Sequence, residues 1–181
     1  EYKYELRIPK ERVAVIIGTK GQTKNLIEKE TGVSLDIDSQ EGEVSVSGVD
    51  ALKLFIAREV VNAIGRGFNP KIALKLLKVD YVFELINVGE FSRSKNDMAR
   101  LKGRVIGQEG KSRKVIEELT GCELCVYGKT IGIIGSVEMA PLARKAIEML
   151  LQGSMHANVF KFLEKQRREM KMMEFEARNI K

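Results

Sequence analysis

Val15-Ile16-Ile17-Gly18-Thr19-Lys20-Gly21-Gln22-Thr23-Lys24-Asn25-Leu26-Ile27-Glu28 returns later in the chain as Arg104-Val105-Ile106-Gly107-Gln108-Glu109-Gly110-Lys111-Ser112-Arg113-Lys114-Val115-Ile116-Glu117. Every position is displaced by 89 residues, as Gly18 and Gly107 show, and the register runs without a gap through Thr31-Gly32 and Thr120-Gly121. A repeat of this size is a duplicated structural unit, so the 181 residues divide into two small domains of one plan.

Outward from the first loop, residues 2–9 alternate, with Tyr4, Leu6 and Ile8 on one side and Lys3, Glu5 and Arg7 on the other, the period of a half-buried strand. Residues 10–17 carry Val13, Ile16 and Ile17 at helical spacing, and Leu26, Ile27 and Glu30 continue a second helix that Thr31-Gly32 stops. Val33, Leu35 and Ile37 alternate again, Ser39-Gln40-Glu41-Gly42 supplies turn chemistry, and residues 44–48 complete a hairpin. From Asp50, a good N-cap, Leu52, Phe55, Ile56, Val60 and Ala63 form the apolar stripe of a longer helix ending near Gly65-Arg66-Gly67.

The second copy repeats this order. It gives a strand at 81–88, a helix at 96–106, the loop at 107–110 and a helix at 111–120. Hairpin strands follow at 122–127 and 130–135, around a shorter turn at Gly128-Lys129, with a last helix at 137–151. Between the copies, Asn69-Pro70 starts a helix over 71–77, so the linker is structured and predicts a fixed relative orientation. The tail, 156–181, reads as a helix with Val159, Phe160, Leu163, Met170, Met173 and Ile180 on its apolar side. Such a helix completes a core of its own chain or, with its methionines, docks on another protein.

Composition fits two modest cores: 44% of residues are hydrophobic, and units of roughly 80 residues are near the lower limit for folding alone. A net charge of +6 favours an acidic partner, nucleic acid before an anionic membrane surface. No run approaches the roughly 20 apolar residues of a membrane span, and the start has no apolar signal core, so the expected location is the cytoplasm. Cys122 and Cys125 form a Cys-x-x-Cys with no second Cys or His pair, and are expected to be strand residues rather than metal ligands.

Gly-x-x-Gly between two helices lets the backbone turn tightly and approach a ligand closely, while the next helix N-terminus offers amide hydrogens and partial positive charge to an anion. The loop follows Ile-Ile or Val-Ile, which can floor an apolar groove, and precedes Lys24 in one copy and Lys111, Arg113 and Lys114 in the other. The expected RNA contacts are Gly18, Thr19, Lys20, Gly21 and Lys24, and Lys102, Arg104, Gly107, Gln108, Gly110, Lys111, Arg113 and Lys114. Thr19-Lys20 places a cation in the first loop and Gln108-Glu109 an anion in the second, which Arg100, Lys102, Arg104 and the lysines and arginine after the loop compensate.

Both copies resemble the type I KH domain, an α+β fold of order β-α-α-β-β-α whose Gly-x-x-Gly loop clamps about four nucleotides of single strand. Nearly the whole chain is similar to the partner-of-Nob, or Dim-type, small-subunit ribosome assembly factors. The resemblance rests on the tandem arrangement, the linker Asn69-Pro70-Lys71-Ile72-Ala73-Leu74-Lys75-Leu76-Leu77, and above all Gly103-Arg104-Val105-Ile106-Gly107-Gln108-Glu109-Gly110-Lys111. It implies domains at 1–67 and 80–153, a helical linker at 68–79 and a tail helix at 154–181. It also implies a monomeric binder of RNA near the 3′ end of small-subunit ribosomal RNA, with a PIN-domain endonuclease or another assembly or translation factor as partner. In eukaryotic relatives the first copy is degenerate, which puts weight on Gly107, Gly110, Lys111 and Arg113; the intact Gly18-Thr19-Lys20-Gly21 and the lack of a long acidic leader suit an archaeal form.

No catalytic residue or cofactor is expected. The single histidine, His156, lies in the tail, no carboxylate cluster recurs, and Gly-x-x-Gly lacks the Lys-Ser/Thr of an NTPase phosphate loop. A general RNA binder, such as a translation regulator or exosome component, and a pair of protein-interaction modules with vestigial loops remain the alternatives.

Overall fold

The computed structural model describes residues 1–180 and contains two compact units, Glu1–Phe83 and Glu84–Lys181. In the first, β1 (Tyr2–Arg7) leads to α1 (Lys10–Ile17), the loop, α2 (Gln22–Thr31), β2 (Ser34–Asp38), β3 (Glu43–Gly48) and α3 (Ala51–Gly65), then α4 (Pro70–Ala73). The order repeats as β4 (Tyr81–Asn87), α5 (Lys95–Ile106), α6 (Lys111–Thr120), β5 (Glu123–Tyr127), β6 (Thr130–Ser136) and α7 (Ala140–Leu151), followed by α8 (His156–Asn179). Each sheet has three strands, ordered β1-β3-β2 and β4-β6-β5. This is the α+β, β-α-α-β-β-α order of two type I KH folds.

Local chemistry sets the boundaries. Gly32 and Gly121 close α2 and α6 in the left-handed conformation, at φ 69° and 66°, which a side chain would resist. Asp50 caps α3 by accepting from the Leu52 and Lys53 amides at 2.9 and 3.1 Å. Ser94 caps α5 through the Asp97 amide, and Asp97 reaches back to the Arg93 amide at 3.0 Å, a reciprocal pair of bonds.

Inside each repeat the same two side-chain bonds recur, one tying α2 to β2 and α6 to β5 and one closing the last turn of the helix itself. Glu28 Oε1 accepts from the Leu35 amide at 2.7 Å, and Glu117 Oε1 from the Leu124 amide at 3.0 Å. Thr31 and Thr120 are both buried and donate to the Ile27 and Ile116 carbonyls at 2.6 Å. All four residues stand at the 89-residue register.

Several elements differ from the sequence expectation. On α3 the buried face is Leu54, Ala57, Val60, Val61 and Ile64, while Leu52 and Phe55 are 68% and 47% exposed. That helix is apolar on most sides, so its own pattern carries two stripes, and α1, α2, β1 and β3 packing against it select one. In β1, Tyr4 is 42% exposed because the strand lies at the sheet edge, where Arg58 stacks over the ring at 5.2 Å. The last helix of the second repeat starts at Ala140 rather than 137, since Ser136 Oγ accepts from the Met139 amide in a preceding turn and Pro141 sits in the first helical turn. The linker is a single α-turn followed by a 3₁₀ turn, Leu74–Leu77.

Cys122 falls just before β5, buried against Gly135, and burial pushes its thiol pKa up. Val159 and Leu163 of α8 are buried on α6 and α7, whereas Met172, Met173, Phe175 and Ile180 are exposed, so only the first half of the helix completes a core. Lys181, the end of the expected tail helix, lies outside the described residues. No described helix is long and apolar enough to cross a membrane.

Candidate nucleic-acid interface

The loops joining α1 to α2 and α5 to α6 agree angle for angle. Gly18 has φ 73° and ψ 175° against 73° and 173° at Gly107; Gly21 has φ 76° and ψ 11° against 74° and 13° at Gly110. Between them Lys20 and Glu109 adopt φ 52° and 53°, the only non-glycine residues at positive φ among those described. A side chain held there costs about 1–2 kcal/mol, a cost that both copies accept.

The two glycines of each loop do different work. A Cβ on Gly107 would lie 2.6 Å from Ser112 Cβ and one on Gly18 would lie 2.8 Å from Thr23 Cβ, so the first glycine packs against the small residue opening the next helix. A Cβ on Gly110 would meet nothing within 4 Å, and one on Gly21 only Asn25 Nδ2 at 3.9 Å. The second glycine therefore leaves open space beside a helix N-terminus, where a phosphate can come close to backbone amides.

The expected cations divide into two groups. Lys20, Lys111 and Lys114 are exposed and Lys24 is half-buried at the start of α2. Four others are engaged within the fold. Lys102 Nζ donates to the Gly128 carbonyl at 3.0 Å, across to the hairpin turn. Arg104 donates to the Leu150 carbonyl at 3.0 Å and to that of Ser154, clamping the end of α7. Arg113 lies 4.0 Å from Glu117, the residue that ties α6 to β5. Arg100 is bound to Asp97 at 2.7 Å; the Arg93 amide and then this guanidinium hold the Asp97 carboxyl below its usual range. Thr19 and Gln108 are exposed at the second loop position.

Of the two pairs expected to floor the groove, Ile16 and Val105 are wholly buried, while Ile17, half-buried, and Ile106, 37% exposed, are left to offer apolar surface. Opposite the loops, β2 and β5 are sheet-edge strands beside α2 and α6, with one backbone edge unpaired by the sheet. In β2, Asp36 and Asp38 are both exposed, and Asp38 accepts from the Gln40 and Glu41 amides at 2.9 and 3.1 Å and so serves the hairpin turn. Sequence reasoning missed that His156 leaves the tail and returns to α5. Its Nε2–H donates to the Arg104 carbonyl at 2.8 Å, a contact no local pattern announces.

Residues 82–168 match the family model for the eukaryotic type KH domain, KH domain type I, and residues 3–63 match that for the KH domain. A KH domain-containing protein of Methanocaldococcus jannaschii is 51% identical over 175 residues, 94% of this chain and 77% of that one. The RNA-binding protein pno-1 of Caenorhabditis elegans is 29% identical over 74% of this chain, which spans only 51% of the nematode protein. Among solved structures, Dim2p from Pyrococcus horikoshii is 42% identical with a TM-score of 0.86, covering 91% of this chain and 99% of that one. The a/eIF2alpha-aDim2p-rRNA complex from the same organism matches at 41% identity and a TM-score of 0.87, over 93% and 95%.

Proposed function

The chain belongs to the Dim-type, partner-of-Nob family of tandem KH-domain proteins, and we propose that it is a ribosome assembly factor gripping single-stranded RNA near the 3′ end of small-subunit ribosomal RNA. The observation that carries this reading is the pair of loops of identical backbone, each with a second glycine open to space at a helix N-terminus. An rRNA-containing complex of a 41%-identical relative supports it.

In this reading residues 1–67 and 80–153 are the RNA-binding domains, 68–79 the linker and 154–181 the tail. Phosphates lie over Gly18, Thr19, Lys20, Gly21 and Lys24 in one groove and over Gly107, Gln108, Gly110, Lys111 and Lys114 in the other. Lys102 and Arg113 border the second groove, and Arg104, clamped to the end of α7, adds charge from the other flank of α5. The protein acts as a monomer in the cytoplasm and does no chemistry itself. It presents or shields the RNA for a PIN-domain endonuclease or a translation factor.

The test is fluorescence anisotropy with a strand matching the 3′ end of small-subunit rRNA against a scrambled strand, using Gly21→Asp and Gly110→Asp. These positions have room for a side chain, and Asp tolerates left-handed backbone. Preference for the ribosomal strand that weakens in Gly110→Asp supports the reading. Equal affinity for both strands would reassign the protein to general RNA binding, and no affinity for either to protein interaction.

A further inference from the structure

Behind the second Gly-x-x-Gly loop lies another groove, of about 500 Å³, walled by α5, α6 and the first turns of α8. It is distinct from the groove between the loop and β5. Lys102 and Ile106 share the flank of α5 that looks toward the hairpin turn, where Lys102 meets the Gly128 carbonyl. Arg100, Gly103, Arg104 and Gly107 succeed one another at three- and four-residue steps along the opposite flank.

The lining is cationic and aromatic and includes no carboxylate. Arg104 and Lys111 contribute positive charge, that of Arg100 being paired with Asp97; Phe160 and His156, packed edge to face at 6.1 Å, contribute flat rings; Val115 adds apolar surface. Ser112 also lines the groove. It is 4% exposed, and its Oγ has no hydrogen-bond partner among the described residues, a state that a native fold rarely leaves without a use. That hydroxyl stands in the first turn of α6, beside the helix amides. Gly107 and Gln108 belong to the loop and to this groove alike, so a strand held by the loop can run directly into it.

We propose that this rear groove takes one further nucleotide of the bound RNA strand, its phosphate at Ser112 and the start of α6 and its base against Phe160. The inference rests on the RNA-binding reading above. It makes the tail helix part of the second RNA site and sets the two repeats apart: α8 has no counterpart in the first, where Leu26 stands in the place of Val115 and is 42% exposed.

The experiment compares a tetranucleotide with strands extended by one to three nucleotides at either end, by anisotropy over a salt series. Extension at one end should raise wild-type affinity about tenfold, as one stacked base gives, and steepen the salt slope by about 0.7 for the added phosphate. Phe160→Ala, Phe160→Leu and Ser112→Ala should each lose most of that increment while tetranucleotide affinity stays unchanged. Phe160→Leu keeps the apolar volume, so its loss reports the ring face rather than misfolding. An extension increment that is absent, or untouched by all three variants, overturns the inference and leaves the RNA reading standing. Tight binding of a free nucleoside monophosphate that outcompetes extension also overturns it, and failure of every strand to bind removes both.

Discussion

The two repeats share a loop geometry to within a few degrees and disagree on its charge: Lys20 and Glu109 occupy the same left-handed position. They also solve one packing problem with different residues. Arg12 donates to the Ile64 and Phe68 carbonyls at 2.8 and 2.9 Å, and Arg104 donates to those of Leu150 and Ser154. Both clamp the C-terminal end of the helix that closes their repeat, α3 or α7, yet Arg12 and Arg104 do not correspond in the repeat, since Val15 aligns with Arg104. Backbone geometry and the satisfaction of helix-end carbonyls are held constant, while the residue that supplies them, and the charge shown to a ligand, vary.

The largest effect expected from breaking this symmetry lies in the glycines. Gly107→Ala and Gly18→Ala combine a backbone region nearly confined to glycine with a Cβ overlap, and should each cost about 3 kcal/mol. Gly110→Ala and Gly21→Ala carry only the left-handed strain, about 1 kcal/mol. Chemical denaturation of the four variants should show that gap, and equal losses would refute the division of labour within each loop.

Next come the clamps. Arg104→Met and Arg12→Met each leave one last-turn helix carbonyl and one carbonyl just beyond the helix without their charged donor and should lose about 2 kcal/mol. Rescue of Arg104→Met by an arginine introduced as Leu101→Arg, the position matching Arg12, would not be expected, because Leu101 is core in this copy.

A smaller effect follows from exchanging the loop charges. Glu109→Lys should strengthen RNA binding several-fold and steepen the salt slope by about 0.7, and Lys20→Glu should do the reverse. Stability should stay within about 0.5 kcal/mol, as at exposed surface positions. Affinity that ignores both substitutions would place the phosphates elsewhere.

Acidification should separate the repeats last and least. Asp97 has a lowered pKa, so its contribution to the α5 cap is present above the ordinary carboxylate range and fades as pH falls through its folded pKa. Burial raises the pKa of Glu59 on α3, so its contribution is present at low pH and is lost as pH rises through that raised value. Hydrogen exchange at falling pH should therefore show the start of α5 loosening while the Glu59 turn of α3 gains protection. Parallel changes in both would contradict the assignment.

Much of this was legible beforehand because the signals are local. The glycine pairs, Asp50 as a cap and Thr31-Gly32 as a stop act within a few residues, and the elements they bound lie where the spacing places them. What stayed hidden depends on packing. The stripe that α3 buries is chosen by neighbouring elements, since Leu52 and Leu54 both head apolar sets. Lys102, Arg104 and Arg113 read as RNA-facing cations, and nothing local reveals that Arg104 reaches carbonyls 46 and 50 residues away. The rear groove needed α8 to fold back on α5 and α6, which its amphipathic pattern permits without specifying.

The closed loop bonds have a thermodynamic consequence. Gly21 N–H donates to the Gly18 carbonyl and Gly110 N–H to that of Gly107, each at 3.2 Å, so both loops are shaped before any strand arrives. The entropy lost on association then falls mainly on the RNA, and affinity should respond to how floppy the strand is, with purine-stacked or structured segments discriminated by the freedom they surrender.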